Sequence, residues 1–390
     1  MALSDPKIPP PADTPSVGIV SAKGSERHTG PHPPVMRPTA RIMERRSGSG
    51  RRRKPPTAVE RCRPTTASRG RLAVCCPANA RQQAPGGRPS NHPGGAEGRA
   101  RPAHSRAAAA TSGGDTVNGP GDGVALNNGV EMPRLGLGVW RIPNGEPVAS
   151  AVRTALATGY RSIDTAAAYR NEEGVGLAVR DCGLPRGHVF VTTKVWNPRQ
   201  GYESTLQAFE ESRQRLAIEY VDLYLVHWPV PGKYRDTWRA LEHLYEQGLV
   251  RAIGVSNFHR HHLEDLMADC RVVPMVNQIE CHPLLVQRDL RAFCARHRIQ
   301  VEAWSPLMEG HLDLPALTAI GARHGRTPAQ VVLRWDLQHG IVTIPRSAKA
   351  GHIRENAEIF DFELSPDEMT AIDGLDAGKR FGADPDDFHF

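Results

Sequence analysis

From Leu135 onward the chain alternates short apolar runs with longer segments whose apolar residues recur every three or four positions. The short runs fall at 135–140, 161–166, 189–195, 221–228, 251–256, 275–280, 300–304 and 341–345. Most are continuous rather than alternating, the pattern of strands buried on both faces. Between them, 146–158, 172–182, 203–216, 234–247, 260–268, 287–297, 314–324, 328–338 and 351–359 read as helices. The first of these carries Val148, Val152, Ala155 and Leu156 on one face and closes at Gly159, a residue suited to the left-handed position that ends a helix. Ahead of the alternation, 124–126 and 130–132 flank Asn127-Asn128-Gly129. Asn and Gly tolerate positive φ, so the stretch predicts a tight β-hairpin.

Eight strand-and-helix units in about 250 residues predict an α/β fold of the (β/α)8 TIM-barrel type. The rival is an open doubly wound sheet, which would carry G-x-G-x-x-G after its first strand. Gly136-Leu137-Gly138 begins that motif, but Arg141 stands where its last glycine belongs. The barrel is the better reading, and barrels work at the carboxyl ends of their strands. Those ends carry Trp140, Asp164, Lys194, His227, Ser256-Asn257, Gln278, Trp304-Ser305 and Arg346-Ser347, a polar and aromatic set that suits a pocket.

Composition divides the chain differently. Residues 1–120 are rich in Pro, Gly, Ala, Arg and Ser without apolar periodicity, and are expected to form a disordered basic tail, or upstream sequence translated from an early start codon. The barrel is assigned to 121–390. Twenty of the 49 lysines and arginines, against seven of the 42 acidic residues, lie at or before Asp115, so the net charge of +7 belongs to the tail and the barrel is mildly acidic. The densest run, Arg51-Arg52-Arg53-Lys54, has no interleaved aromatic to stack on a base, which argues against nucleic acid. No stretch has the apolar length of a membrane span or of a secretory signal, so a cytoplasmic protein is expected. Seven cysteines, an odd number with no C-x-x-C, indicate a reducing compartment and neither a disulfide framework nor a cysteine zinc site.

The candidate chemistry sits on three successive strand ends. A tyrosine is a weak acid near neutrality, its ordinary pKa being about 10. A lysine beside it favours the phenolate, and a carboxylate behind the lysine keeps the ammonium charged and oriented. Asp164, Tyr169 and Lys194 are the types such a relay needs. His227 would be a second donor to the same substrate oxygen. Reduction of a carbonyl fits, because hydride arriving at carbon leaves an alkoxide that must be protonated. Singly, each residue has a plainer reading: Asp164 as a loop cap, Lys194 as a surface lysine, His227 as a structural histidine. A metal-dependent hydrolase would need more ligands than Asp164 and His227 at these ends, and Lys194 would repel the ion.

The motifs SIDTAAAY, VTTKVWN, DLYLVHWP, IGVSNF, VNQIECHP, AWSPL and IPRSA with HIRENAEIFDFEL occur in this order between about Val124 and about Asp376. Together they make the chain resemble the aldo-keto reductase superfamily, and within it bacterial 2,5-diketo-D-gluconic acid reductases. The resemblance implies a monomeric barrel that reduces a small-molecule aldehyde or ketone with NADPH bound in an extended form. It also implies a catalytic tetrad of Asp164, Tyr169, Lys194 and His227 with Tyr169 the proton donor. Ser256, Asn257 and Gln278 would hold the nicotinamide carboxamide, Trp304 would stack on the ring, and Ser305 and Leu307 would belong to the same cofactor wall. Trp140 and Trp196 would join His227 on the substrate side, where Trp228 reads equally as lining or as packing. Arg346, Ser347 and His352 match the site of the 2′-phosphate, and Glu355 and Asn356 lie near the adenine. The family often has arginine at the position of His352. A mostly neutral histidine holds phosphate less firmly, which leaves room for NADH. Two alternatives stand beside this reading: a broad detoxifying reductase of methylglyoxal-type dicarbonyls, and a cofactor-sensing binding protein with incidental turnover. The final stretch, 378–390, is expected to fold over the barrel mouth.

Overall fold

The computed structural model describes residues 119–390; the basic tail expected at 1–120 lies almost wholly outside the described residues. The hairpin forms as β1 (Gly123–Ala125) and β2 (Glu131–Pro133), antiparallel, with Gly129 at φ 85° in the turn. Its turn faces the amino-terminal ends of later strands: Asn128 Nδ2 donates to the Arg251 carbonyl at 3.0 Å and Asn127 Nδ2 to that of Pro274 at 3.2 Å. Leu126 and Met132 are buried beneath it, so the hairpin floors the barrel.

Then come β3 (Gly136–Gly138), α1 (Glu146–Thr158), β4 (Ser162–Asp164), α2 (Glu172–Asp181), β5 (Phe190–Val195), α3 (Tyr202–Leu216), β6 (Val221–Val226) and α4 (Tyr234–Glu246). The series continues with β7 (Val250–Ser256), α5 (Arg260–Met267), β8 (Val276–Glu280), α6 (Arg288–Arg296), β9 (Gln300–Trp304), α7 (Pro315–His324), α8 (Pro328–Gln338) and β10 (Val342–Thr343). Strands β3 to β10 pair in sequence order, all parallel. Parallel bridges from Leu135 to Thr343 and from Gly138 to Arg346 join the two edges and close the barrel. The expected (β/α)8 architecture is therefore the observed one, and nearly every barrel-strand position is buried, as continuous apolar runs require.

Two short helices end the chain: α9 (Ala350–Glu355), briefer than the expected 351–359, and α10 (Pro366–Asp373), which the apolar spacing did not reveal. The signal for α10 is a capping box: the Ser365 hydroxyl accepts from the Glu368 amide, Glu368 reaches back to the Ser365 amide, and Pro366 fills the first turn. Gly176 lets α2 approach the end of α3, since a Cβ there would lie 2.0 Å from the Leu216 carbonyl oxygen.

Residues 377–390 form a strap across the carboxyl ends of the strands. The amides of Ala377 and Lys379 donate to the Leu284 carbonyl, and those of Phe381 and Gly382 to the buried Glu280 carboxylate at the end of β8. Gly382 passes so close to Trp304 that a Cβ would stand 2.3 Å from the indole. Phe388 and Phe390 then pack on Trp228, and Phe390 stacks on Trp196 at 5.7 Å and 4°. Phe381 packs instead against His282 and His311 at the strap's start. Among the described residues no helix is long and apolar enough to cross a membrane, and Cys182, Cys270, Cys281 and Cys294 are free thiols.

Candidate active site

Strand pairing sets Asp164, the last residue of β4, beside Thr192 of β5. Lys194 is two residues further along β5 and so faces the same side of the pleat as Thr192. A short 3₁₀ turn, Ala167–Tyr169, follows β4 and ends at Arg170 with φ 55°, which brings Tyr169 back over the lysine. Asn171 clasps this loop: its Nδ2 donates to the carbonyls of Val139 and Ile142, both at 2.9 Å, and its Oδ1 accepts the Thr165 hydroxyl at 2.7 Å. His227 follows β6 directly and stands edge-on to Tyr169, ring centroids 5.7 Å apart.

Lys194 is fully buried, and its ammonium is saturated by the protein. Nζ lies 2.6 and 2.8 Å from the Asp164 oxygens, 2.9 Å from the Thr165 carbonyl and 3.4 Å from the Tyr169 hydroxyl. Burial works against its charge, but Asp164 and Tyr169 outweigh that and hold its pKa above the usual lysine value. The Tyr169 phenol is pushed up by burial and pulled back by the Lys194 charge, with a net rise, so it is a protonated donor at neutral pH. His227 is held well below the ordinary imidazole range by burial and by the Lys194 ammonium, and is neutral. Its Nδ1 is buried without a partner. The cluster thus offers two neutral hydrogen-bond donors, a phenol and an imidazole, backed by one buried ion pair.

The network runs deeper than the four residues. Gln278 Nε2 donates to Asp164 Oδ2 at 2.8 Å and to Glu302 Oε2 at 2.6 Å, so a second carboxyl lies behind the first. Sequence reasoning passed over Glu302, although an acid inside the apolar run of β9 is the same kind of signal as Asp164. Burial and the Asp164 charge push its pKa up to about 8. The folded protein therefore keeps a proton that the unfolded chain releases near the ordinary glutamate pKa of about 4.3. Where the native state binds more protons, stability falls as pH rises, here from about pH 4 to about pH 8. Glu302→Gln is expected to flatten that part of the profile, measured by urea denaturation at pH 5, 6.5 and 8; an unchanged slope would assign the proton elsewhere.

Around the cluster the structure gathers most of the other expected residues. Trp304 Nε1 donates to Asn257 Oδ1 at 2.9 Å, and Asn257 Nδ2 donates to the His227 carbonyl at 3.0 Å and to the Ser256 hydroxyl at 3.1 Å. One chain of bonds thus links His227, Ser256, Asn257 and Trp304 and fixes the plane of the indole. Asn257 and Ser305 both hold positive φ, 65° and 52°. Ser305 and Leu307 are half-buried just beyond Trp304. The two amide hydrogens of Gln278 point inward to carboxyl groups, leaving its carbonyl oxygen as the group free to serve a ligand. Trp196 stands edge-on to His227 at 5.2 Å, Trp140 is 41% exposed at the rim, and Trp228 is buried beneath Phe388 and Phe390. Arg346, Ser347, His352, Glu355 and Asn356 form a separate patch along β10 and α9. There Arg346 is exposed and donates to the carbonyls of Trp140 and Arg141, His352 is exposed, Glu355 is half-buried, and Ser347 and Asn356 are buried.

Comparison with known proteins agrees with this geometry. The family model described as the aldo/keto reductase family matches residues 134–377. A glyoxal reductase of Bacillus subtilis (strain 168) is 57% identical over 270 residues, covering 69% of this chain and 98% of that protein. A methylglyoxal reductase, DkgA, of Salmonella typhimurium (strain LT2) is 48% identical over 270 residues, covering 68% and 97%. A crystal structure of a Gox0644 mutant in complex with NADPH superimposes with a TM-score of 0.66 at 46% identity, covering 69% of this chain and 98% of that one.

Proposed function

The chain belongs to the aldo/keto reductase family and is an oxidoreductase acting on carbonyls, and from that premise we propose that it reduces small dicarbonyls of the glyoxal and methylglyoxal kind to hydroxycarbonyls with NADPH. The observation that carries the chemistry is the contact of a protonated Tyr169 with the Lys194–Asp164 pair, beside a neutral His227. The preference for a small substrate rests on the relatives' names and on the strap, which sets Phe388 and Phe390 over the tryptophans at the mouth. A larger polar ketone such as 2,5-diketo-D-gluconate, the first expectation from the sequence motifs, becomes the second reading, through the motifs shared with its reductases. We assign the activity to the barrel, 121–390, and none of it to the tail.

The residues present fit a nicotinamide cofactor. Trp304 offers a flat face whose edge is pinned by Asn257, the Ser256 and Asn257 side chains lie at the same rim, and Arg346 offers an exposed cation for a phosphate. When bound, the reduced nicotinamide supplies a hydride. The chain's own residues do the rest. Tyr169 and His227 hold the substrate oxygen between two donors, and Tyr169 gives up its proton as that oxygen becomes negative. Lys194 stabilises the phenolate left behind, and Asp164 keeps the ammonium charged and aimed. The strap and Trp196 limit the access of water.

The test is oxidation of NADPH and of NADH by the purified protein against glyoxal, methylglyoxal, 2,5-diketo-D-gluconate and an aromatic aldehyde. The highest kcat/KM is expected with a dicarbonyl and NADPH, and NADH is expected to serve measurably because His352 occupies the family's arginine position. Preference for diketogluconate would select the second reading, and absence of turnover with every carbonyl would overturn the first.

A further inference from the structure

The strap is held against α5 by a cluster that the proposed reaction does not use. His259, His261 and His262 lie at the amino-terminal end of α5, and Asp384 and Asp386 lie on the strap more than a hundred residues later. His259 Nε2 is 3.2 Å from Asp384 Oδ1 and 3.9 Å from Asp386 Oδ2, and His261 Nε2 is 3.0 Å from Asp386 Oδ1. The ligand atoms of His259, Asp384 and Asp386 all lie within 4.8 Å of one another. A tetrahedral zinc ion with bonds of about 2.0–2.2 Å keeps its ligand atoms roughly 3.3–3.6 Å apart. The observed separations bracket that spacing.

We propose that this cluster is a transition-metal site, taking Zn²⁺ or a similar ion of the imidazole-and-carboxylate class, that cross-links the C-terminal strap to α5. His259 Nε2, Asp384 Oδ1 and Asp386 are three ligands, and His261, exposed and already 3.0 Å from Asp386 Oδ1, turns in as the fourth. Mixed nitrogen and oxygen donors suit zinc, cobalt or nickel better than magnesium or calcium, which prefer oxygen.

His262 has a different part. Its Nδ1 accepts the His259 backbone amide at 3.2 Å, which caps the helix and leaves its proton on Nε2. That Nε2–H faces Asp386 Oδ1 at 3.4 Å, so His262 orients a ligand without binding the ion. The carboxylates are positioned in the same way. The Asp387 amide donates to the Asp384 carbonyl at 3.0 Å, closing a turn with Pro385 at its second position, and the Asp386 amide donates to Asp384 Oδ1 at 3.0 Å. Arg380 Nε stands 3.4 Å from Asp384 Oδ2 and takes the oxygen not aimed at His259. An ordered second layer of this kind is what holds ligands in place before an ion arrives. The consequence lies at the strap's end: a filled site anchors the chain two residues before Phe388, and so holds Phe388 and Phe390 over Trp228 and Trp196.

The experiment is independent of the reaction assigned above. Full-length protein, stripped with chelator and kept reduced, is titrated with Zn²⁺ by calorimetry, beside an Asp384→Asn/Asp386→Asn double variant and a His259→Ala variant. The count is taken by difference, because seven cysteines elsewhere in the chain also offer zinc ligands. Wild type is expected to bind one ion more per chain than either variant. Zinc is also expected to slow carboxypeptidase removal of the last residues at least tenfold in wild type and to leave both variants unchanged. Equal zinc stoichiometry in all three proteins would overturn the proposal. So would a strap that resists digestion equally with and without zinc, since the histidine–aspartate hydrogen bonds alone would then account for its anchoring.

Discussion

Tyr169→Phe is expected to lower turnover of every carbonyl substrate by about 10²–10⁴-fold, the usual worth of a positioned general acid, while NADPH binds as before. The substitution removes one hydroxyl and little else. The phenyl ring keeps its edge-on contact with His227 and its place over the Lys194 ammonium, 5.0 Å from the ring centroid. The Lys194–Asp164 pair loses only its longest contact, at 3.4 Å. Cofactor affinity, read by fluorescence titration, therefore separates loss of the proton from loss of the site. A fall of less than tenfold in kcat with binding intact would remove Tyr169 as the donor and leave His227 as the group to test. The sign of the pH dependence adds a second check. The donor works when protonated, and the net effect of its surroundings is to raise the Tyr169 pKa, so reduction should hold steady through neutral pH and decline only on the alkaline side. Alcohol oxidation, which needs the phenolate, should rise over the same alkaline range.

The barrel and the four-residue cluster were legible in the sequence for one reason. Strands covered on both faces leave continuous apolar runs, and a polar residue where such a run stops has to be explained by what the rim does. Asp164, Lys194 and His227 all announced themselves in this way. Glu302 did not, because it stands within the run of β9, where its buried carboxyl is tolerated through the Gln278 bond and a retained proton. Gln278, expected at a strand end, stands in the middle of β8, and its pairing with Glu302 across β8 and β9 turns its amide hydrogens inward. The patch of Arg346 and His352 was likewise located by motif, whereas the engagement of the Arg346 guanidinium with the Trp140 and Arg141 carbonyls depends on how β3 meets β10 at the seam. Helix α10 escaped because its buried residues are few and its message lies in Ser365, Pro366 and Glu368 rather than in periodicity. The histidines of α5 and the aspartates of the strap are far apart along the chain, and no local pattern relates them.

Lys194→Met is expected to damage folding and catalysis together, and the two effects are separable. Nζ makes four polar contacts in a fully buried setting, two of them to Asp164, which is itself 2% exposed. Methionine approximates the volume of the stem but leaves the Asp164 carboxylate buried without its cation. Removing one partner of such a pair costs about 3–5 kcal/mol. The second loss is chemical. The lysine charge is the largest influence that lowers the Tyr169 pKa against burial, so without it the phenol becomes a still weaker acid. Turnover is expected to fall by about 10²-fold or more. Adding Asp164→Asn removes the orphaned charge, so the double variant should recover most of the lost stability in urea while its kcat stays at the level of the single variant. Recovery of both would mean that the lysine serves the fold alone and that Tyr169 donates its proton unaided. Recovery of neither would mean that the Thr165 and Tyr169 contacts of the ammonium, rather than its pairing with Asp164, hold this end of the barrel together.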